Sequence, residues 1–504
     1  MIGNHGLRKT GSRTAAALAI LGFYVALLHA AVWAQMLGTP GVQLPTPLTS
    51  GAVGTSPSAS SIMQGMQASQ NPLLGSVPQG QPTPGVLRLT PLDAIDRGLK
   101  YNLGLLLSQQ ATEAARGARY RALSDLLPRL TAQTQEVVQQ INLAQFGFTF
   151  GGFPQIIGPF SFFDVRALAT SPLFDMHALD VFRARVRDIQ AAEFNYQNAR
   201  DLVVLVVGGA YMQALAGSAR IESVQAQVNT ASALYGQAQD LKGAGVVAAI
   251  DVLRSQVEMQ VQQQRLLAAQ NDFAKQKLVL ARLIGLPVSQ EFTLAEDIPY
   301  APAPPITLEQ ALERALTNRS DYASARELVR SAELERKAAA AESLPTVHVD
   351  ADYGDLGHTP ANSHGTFSTA AALKIPIFQG GKVRGDTMAA DALLQQRQSE
   401  LADLQGKIEF DVRTAFLDLN SAGDQLKVAQ SSQALAREAL AQARDRFAAG
   451  VTNNIEVIQA QEAVAVTDDN YISSLFAFNV AKLSLARAVG TAEKSVKDFL
   501  GGNR

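Results

Sequence analysis

The chain has 504 residues, with 43 basic and 45 acidic side chains and a net charge of −2. That balance, with no basic run anywhere, excludes a nucleic-acid surface built on Lys and Arg. Cysteine is absent, which excludes disulfides, thiol nucleophiles and a lipid carried on an N-terminal Cys; aromatics at 6% are few for one large globular core.

At the N-terminus Arg8, Lys9 and Arg13 precede the apolar run TAAALAILGFYVALLHAAVWA, and Val32-Trp33-Ala34 offers a cleavage site after Ala34. This pattern predicts a signal peptide over 1–34. An uncleaved inner-membrane anchor is the alternative, since about 20 apolar residues span a bilayer. Residues 35–88 are rich in Pro, Gly, Ser, Thr and Gln and nearly uncharged, so they are predicted to be a disordered linker with nothing to bury.

An internal repeat governs the rest. LTPLDAIDRGL at 89–99 matches ITLEQALERAL at 306–316, and the same offset carries Leu127-Pro128 onto Leu344-Pro345. SPLFD at 171–175 matches IPIFQ at 375–379, and 211–285 matches 416–490, ending ARLIG against ARAVG. The expected organisation is a first repeat over 89–287, a linker over 288–305, a second repeat over 306–491 and a tail over 492–504. Each repeat reads as helix, β-hairpin, helix.

Thr90 and Thr307 are predicted N-caps of helices that run to the Leu-Pro pairs. Between the helices, Val347, Val349, Ala351 and Tyr353 alternate with Thr346, His348, Asp350 and Asp352, and Phe367, Thr369, Ala371 and Leu373 alternate with Ser368, Ala370, Ala372 and Lys374. This period of two, with one apolar and one polar face, is the pattern of membrane-barrel strands. It predicts hairpins at about 129–173 and 345–377, the first with a weaker alternation of Leu130 and Ala132 against Thr131 and Gln133. After Pro172 no proline occurs until Pro287, and none follows Pro376. Leu401, Leu404, Ile408, Val412, Ala415 and Leu419 step by three and four, so very long amphipathic helices are expected.

One chain then supplies four strands, which cannot close a barrel, and open sheet edges are not tolerated in lipid. Two copies would give eight strands and three would give twelve, enough for a lumen; a ring is required, most simply a homotrimer. LKGAGVVAAIDVLRSQ at 241–256 and RFAAGVTNNIEVIQAQ at 446–461 carry the same Gly-Val-x-x-x-Ile-acid-Val turn. Gly245 and Gly450 are predicted to reverse one helix into the next in the left-handed conformation. Asp251 and Glu456 then fall in the first turn of the returning helix, where the dipole favours an acid. That helix-start role suffices for them; in a ring they would also surround the far mouth of a tube.

These features together, the duplicated segment order, the RF-x-x-G-V turn at 446–451, the ARLIG and ARAVG ends and the Leu-Pro and Pro-x-Phe flanks of both hairpins, resemble the outer-membrane efflux protein family, the TolC-like channels. The resemblance covers essentially 89–491. It implies a mainly α fold with a membrane β-barrel part, a trimeric α-barrel tunnel continuing a 12-stranded β-barrel. It implies an outer-membrane duct of a tripartite efflux or type I secretion system, with a periplasmic adaptor and an inner-membrane RND, ABC or MFS pump as partners. Asp251 and Glu456 match the family's periplasmic aperture acids, and the tip turns Gly245, Val246, Gly450 and Val451 match its adaptor contacts. Thr452 and Gln459 depart from the family, whose members often carry a basic latch residue and a second acid there.

Other chemistry is weak. The six histidines are scattered, and His348, His358 and His364 near the second hairpin lack carboxylates at ligand spacing. No catalytic, cofactor or metal residues are expected. The aromatic, glycine-rich stretch 145–164 suits an external barrel loop. The rival reading is a structural periplasmic coiled coil held by an uncleaved N-terminal segment, which the period-two strands oppose. The mature protein is expected to begin near Gln35 in outer membranes. N-terminal sequencing checks this, and an intact Met1 recovered from inner membranes would contradict it.

Overall fold

The computed structural model describes residues 71–78, 85–143, 154–295, 302, 306–449, 451–452 and 454–495. The expected signal peptide, residues 35–70 and 79–84 of the expected linker, 145–153 of the aromatic stretch, most of 296–305, the end of the tail and Gly450 lie outside the described residues, and from Ile156 on the aromatic stretch is strand, not the expected loop.

Strand β1 (Leu87–Leu89) leads into α1 (Pro91–Tyr101) and α2 (Leu103–Ser124). In the second repeat α5 (Leu308–Asn318) and α6 (Ser320–Ala341) follow β4 (Phe292–Leu294), which pairs in parallel with β1. Thr90 and Asp93 form a reciprocal capping box, and Thr307 and Gln310 form the matching one, satisfying amides that a helix start leaves orphaned. The single helix expected from each cap to Leu-Pro is, however, broken in both repeats. Asn102 and Arg319 take extended conformations between the two helices. Asn102 accepts from the Gly104 amide at 3.0 Å and donates to the Leu73 carbonyl at 2.7 Å. Arg319, buried, holds Asp321 at 2.7 Å and Asp411 at 3.0 Å. Partners distant in sequence outweigh the short stretch of helix lost.

Beyond Leu-Pro come β2 (Arg129–Asn142) and β3 (Ile156–Phe174), then β5 (Thr346–Gly357) and β6 (Ser363–Lys374). Pairing of β3 with β5 joins the two hairpins into one antiparallel sheet in the order β2-β3-β5-β6. The register aligns side chains of one kind across all four strands. Leu130, Ala169, Ala351 and Thr369 form one row, and Ala132, Ala167, Tyr353 and Phe367 the next. This apolar face is bare: Leu130, Tyr353, Phe367 and Leu373 are exposed, and among the described residues its charged side chains are Glu136 and Asp355, toward the hairpin ends. On the other face Arg166 reaches Asp164 at 2.8 Å and Asp352 at 3.2 Å, and Thr170 donates to Asp350 at 2.8 Å.

The long helices are α3 (Met176–Gly243) with α4 (Ala249–Leu283), and α7 (Lys382–Ala448) with α8 (Asn454–Ala488). The 68 residues of α3 extend roughly 100 Å at 1.5 Å per residue. Near its start α3 packs on α6 through small side chains, Ala184 and Ala191 facing Ser324 and Ser331. Their hydroxyls donate to the Ala191 and Ala184 carbonyls at 2.9 and 3.2 Å. Farther along, the apolar run around 203–215 is buried by α1, β1, β4, the end of α4 and α8. Its composition would suit a membrane span, but here it is core. Ile408, Val412, Ala415 and Leu419 of α7 bury against Leu475, Phe478 and Leu485 of α8 as the second repeat's counterpart.

The repeats end on left-handed glycines, Gly285 at φ 68° and Gly490 at φ 74°. A Cβ on Gly490 would stand 2.8 Å from the Arg319 amide nitrogen and 2.9 Å from its Cα. Gly490→Ala is therefore expected to cost more than about 1 kcal/mol, read as a lower unfolding temperature; an unchanged temperature would count against the tight contact. Arginine at Val349 or Ala371, on the apolar strand face, is expected to impair assembly more than arginine at Thr346 or Ser368, because a basic residue facing lipid at the midplane costs about 2–4 kcal/mol. Equal yields of assembled protein for all four variants would show that the faces are reversed.

Candidate functional site

The repeated turns sit together at the end of the helices remote from the sheet. Gly245 takes φ 75°. Its amide donates to Lys242 O at 3.0 Å and the Val246 amide to Leu241 O at 2.8 Å, closing the end of α3. In the second turn the Val451 amide donates to Arg446 O at 3.0 Å in the same manner. Val246 and Val451 are both exposed, so each turn presents an apolar side chain to its surroundings.

Asp251 occupies the first turn of α4 and Glu456 the first turn of α8, with negative charge at the helix N-terminus. Each also has a basic neighbour within the chain. Asp251 faces Arg254 at 3.4 Å, and Glu456 faces Arg446 at 3.1 Å while accepting from the Thr452 hydroxyl. Thr452 thus holds the acid of its own turn. Gln459 lies exposed on α8.

What joins the two turns is Asn454, buried at the start of α8. Its Nδ2 donates to the Asp251 carbonyl at 3.1 Å and to the Ser255 hydroxyl, and Ser255 donates in turn to the Asp251 carbonyl at 2.9 Å. Beneath this link Phe447, Val457, Leu440 and Val464 bury against Leu234 of α3, so the Phe of the RF-x-x-G-V turn plugs the space between the hairpins. Higher up, Arg265 grips Glu462 with both guanidinium nitrogens, at 3.0 and 3.1 Å, and Arg220 reaches Asp469 at 2.7 Å and Ser473 at 2.8 Å. Exposed pairs of this sort contribute roughly 0–1 kcal/mol each; the buried Asn454 link and the Phe447 cluster carry more.

Asn454, Ser255, Arg254 and Arg446 were not singled out from the sequence. The available signal was an Asn at a helix start directly after a glycine turn. Ser255 gave none, because a serine one turn into a helix has no distinguishing pattern. Among the described residues no three His, Asp or Glu side chains stand close enough to hold a metal ion. The site is a joint between two helical hairpins, with an acid in the first turn of each returning helix.

Comparison with known proteins adds descent to this geometry. The family description "Outer membrane efflux protein" matches residues 311–491. The chain is 23% identical over 400 residues to the alkaline protease secretion protein AprF of Pseudomonas aeruginosa, covering 77% of this chain and 82% of that one. It is 21% identical over 333 residues to the outer membrane protein TolC of Vibrio cholerae, covering 64% and 75%. In structure it resembles the CmeC outer membrane channel of Campylobacter jejuni with a TM-score of 0.70 at 14% identity, over 91% of this chain and 97% of the other. Two repeats, a four-stranded sheet continued by helices of 68 and 67 residues, and these likenesses point the same way: residues 311–491 carry the domain of the outer membrane efflux protein family, and the chain as a whole is similar to TolC-like outer-membrane channels.

Proposed function

We propose that the chain works as a homotrimeric passive duct of a tripartite efflux or type I secretion system, carrying substrates from an inner-membrane pump across the periplasm and outer membrane. The observation that supports this best is the sheet with two free edges, β2 and β6. A lipid-embedded sheet must close on itself, and three copies supply twelve strands. The helices make the same demand. Ile250, Leu253, Val257 and Leu267 on α4, and Phe410, Leu417, Val428 and Leu435 on α7, are exposed apolar side chains. Stripes of this length call for neighbouring helices, and α4 of one copy against α7 of the next would cover both.

In that ring, three copies of Asp251 and of Glu456 surround the periplasmic mouth. Like charges about 6 Å apart repel by roughly 3 kcal/mol at an effective dielectric of 20. The Arg254 and Arg446 partners offset part of this and leave the acids facing inward as a cation-favouring constriction. In this reading the outer tips would be the turns of Gly245, Val246, Gly450 and Val451, and the exposed Val246 and Val451 suit a grip by the hairpin of a periplasmic adaptor. The pump, of the RND, ABC or MFS class, selects the cargo.

The Asp251→Ala/Glu456→Ala protein in planar bilayers is expected to lose cation preference and change its conductance, read from the reversal potential in a salt gradient. Selectivity and conductance equal to wild type would leave these acids with the helix-start role alone.

A further inference from the structure

Helix α8 carries a buried polar row. Asn454, Gln461 and Asp468 recur at heptad spacing, exposed by only 1%, 6% and 6%. Facing them on α4, Ser255 and Gln262 stand at the same spacing and are 3% and 2% exposed. Asn454 meets Ser255, as described above. One heptad along, Gln461 and Gln262 line a recess of about 190 Å³, with Ser223, Gln227 and Thr230 of α3, Arg437 of α7 and Asp468 as its other polar walls and Leu440 and Val464 among its apolar ones.

The hydrogen-bond inventory there is one-sided. Gln262 Nε2 donates to Glu258 at 2.7 Å, and Gln227 Nε2 to Ser223 Oγ at 3.3 Å. Asp468 accepts from Ser223 Oγ at 2.9 Å, Gln433 Nε2 at 2.8 Å and Arg437 Nη2 at 2.9 Å. Gln262 Oε1 and Gln461 Oε1, and Asn454 Oδ1 at the tip, are buried without a partner. What these buried oxygens lack is therefore a donor within reach. An amide oxygen accepts two hydrogen bonds and is unfavourable in a dry environment. The carboxylate is already matched by Arg437, so the recess offers no unbalanced negative charge to draw in a cation. Its volume accommodates several waters at about 30 Å³ each.

We propose that this recess is a built hydration site, in which ordered waters bridge Gln262 Oε1 to Gln461 Oε1 and form a polar rung between the two helical hairpins. The rung sets register: sliding α8 along α4 would place Asn454 and Gln461 against apolar neighbours, as a polar residue at a coiled-coil core position fixes alignment. The inference goes beyond the duct reading and does not depend on whether the mouth selects cations.

Two measurements on the full-length protein in detergent test it. A structure at a resolution that resolves water is expected to place density about 2.7–3.2 Å from both Gln oxygens. An empty recess would overturn the proposal, as would an anomalous peak there after soaking with thallium(I), which would mark a cation site. In thermal unfolding, Gln262→Leu and Gln461→Leu are each expected to lower the unfolding temperature, because each strands the waters on the opposite side. The double variant is expected to recover most of the loss, since removing both sides lets the recess go dry. Losses that add would show two independent packing residues and no shared water rung.

Discussion

Burial of the apolar run around 203–215 in α3 is the contact on which the rest of the molecule depends. Val203, Val204, Val207, Tyr211 and Met212 are almost fully enclosed, and each such side chain contributes about 1.5–3 kcal/mol. The same few turns touch α1, β1, the end of α4 and α8. The buried Tyr211 hydroxyl donates to the Leu89 carbonyl at 2.8 Å, fixing β1 against α3. A 68-residue helix has little to hold it straight by itself; clamped near the middle, it can carry a sheet at one end and a turn at the other.

Outward from that clamp the packing changes character in both directions. Toward the sheet, Ala184, Ala191, Ser324 and Ser331 bring α3 and α6 close with hydroxyl-to-carbonyl bonds in place of bulky side chains. Toward the tip, a polar row of Asn454, Gln461 and Asp468 along α8 is buried beside the apolar cluster around Phe447. Polar contacts in a helical seam specify alignment at a cost in stability. It is at this tip that the paired acids and the exposed valines lie.

The duplication also explains where the two halves cease to be equivalent. Both have a capping box, a broken helix, a hairpin and a glycine-ended return helix. Yet Asn102 closes its break with its own amide side chain, whereas Arg319 does so through an ion-pair cluster with Asp321 and Asp411, near Arg487. The second acid turn has Arg446 before the glycine, and the first relies on Arg254 after it. One architecture is thus stabilised by different chemistry in each copy.

Much of this was legible in the sequence, because local rules govern it. Period-two alternation marks β5 and β6, steps of three and four mark α7, Thr before an acid or Gln marks the caps, and repeated Gly-Val marks the reversals. Each depends on residues within a turn or two of one another. The pairing of β3 with β5, the breaks at Asn102 and Arg319, and the link from Asn454 to Ser255 were not legible, since each joins segments tens to hundreds of residues apart. Gln262 and Gln461 illustrate the difference: neither carries a local signal of burial, and only the approach of the two hairpins turns them into buried groups in need of partners. Sequence determined which elements form and which face of each is apolar, because those follow from local sterics and periodicity. Tertiary structure decided which faces meet and which polar groups lose water, because burial depends on neighbours the local chain cannot supply.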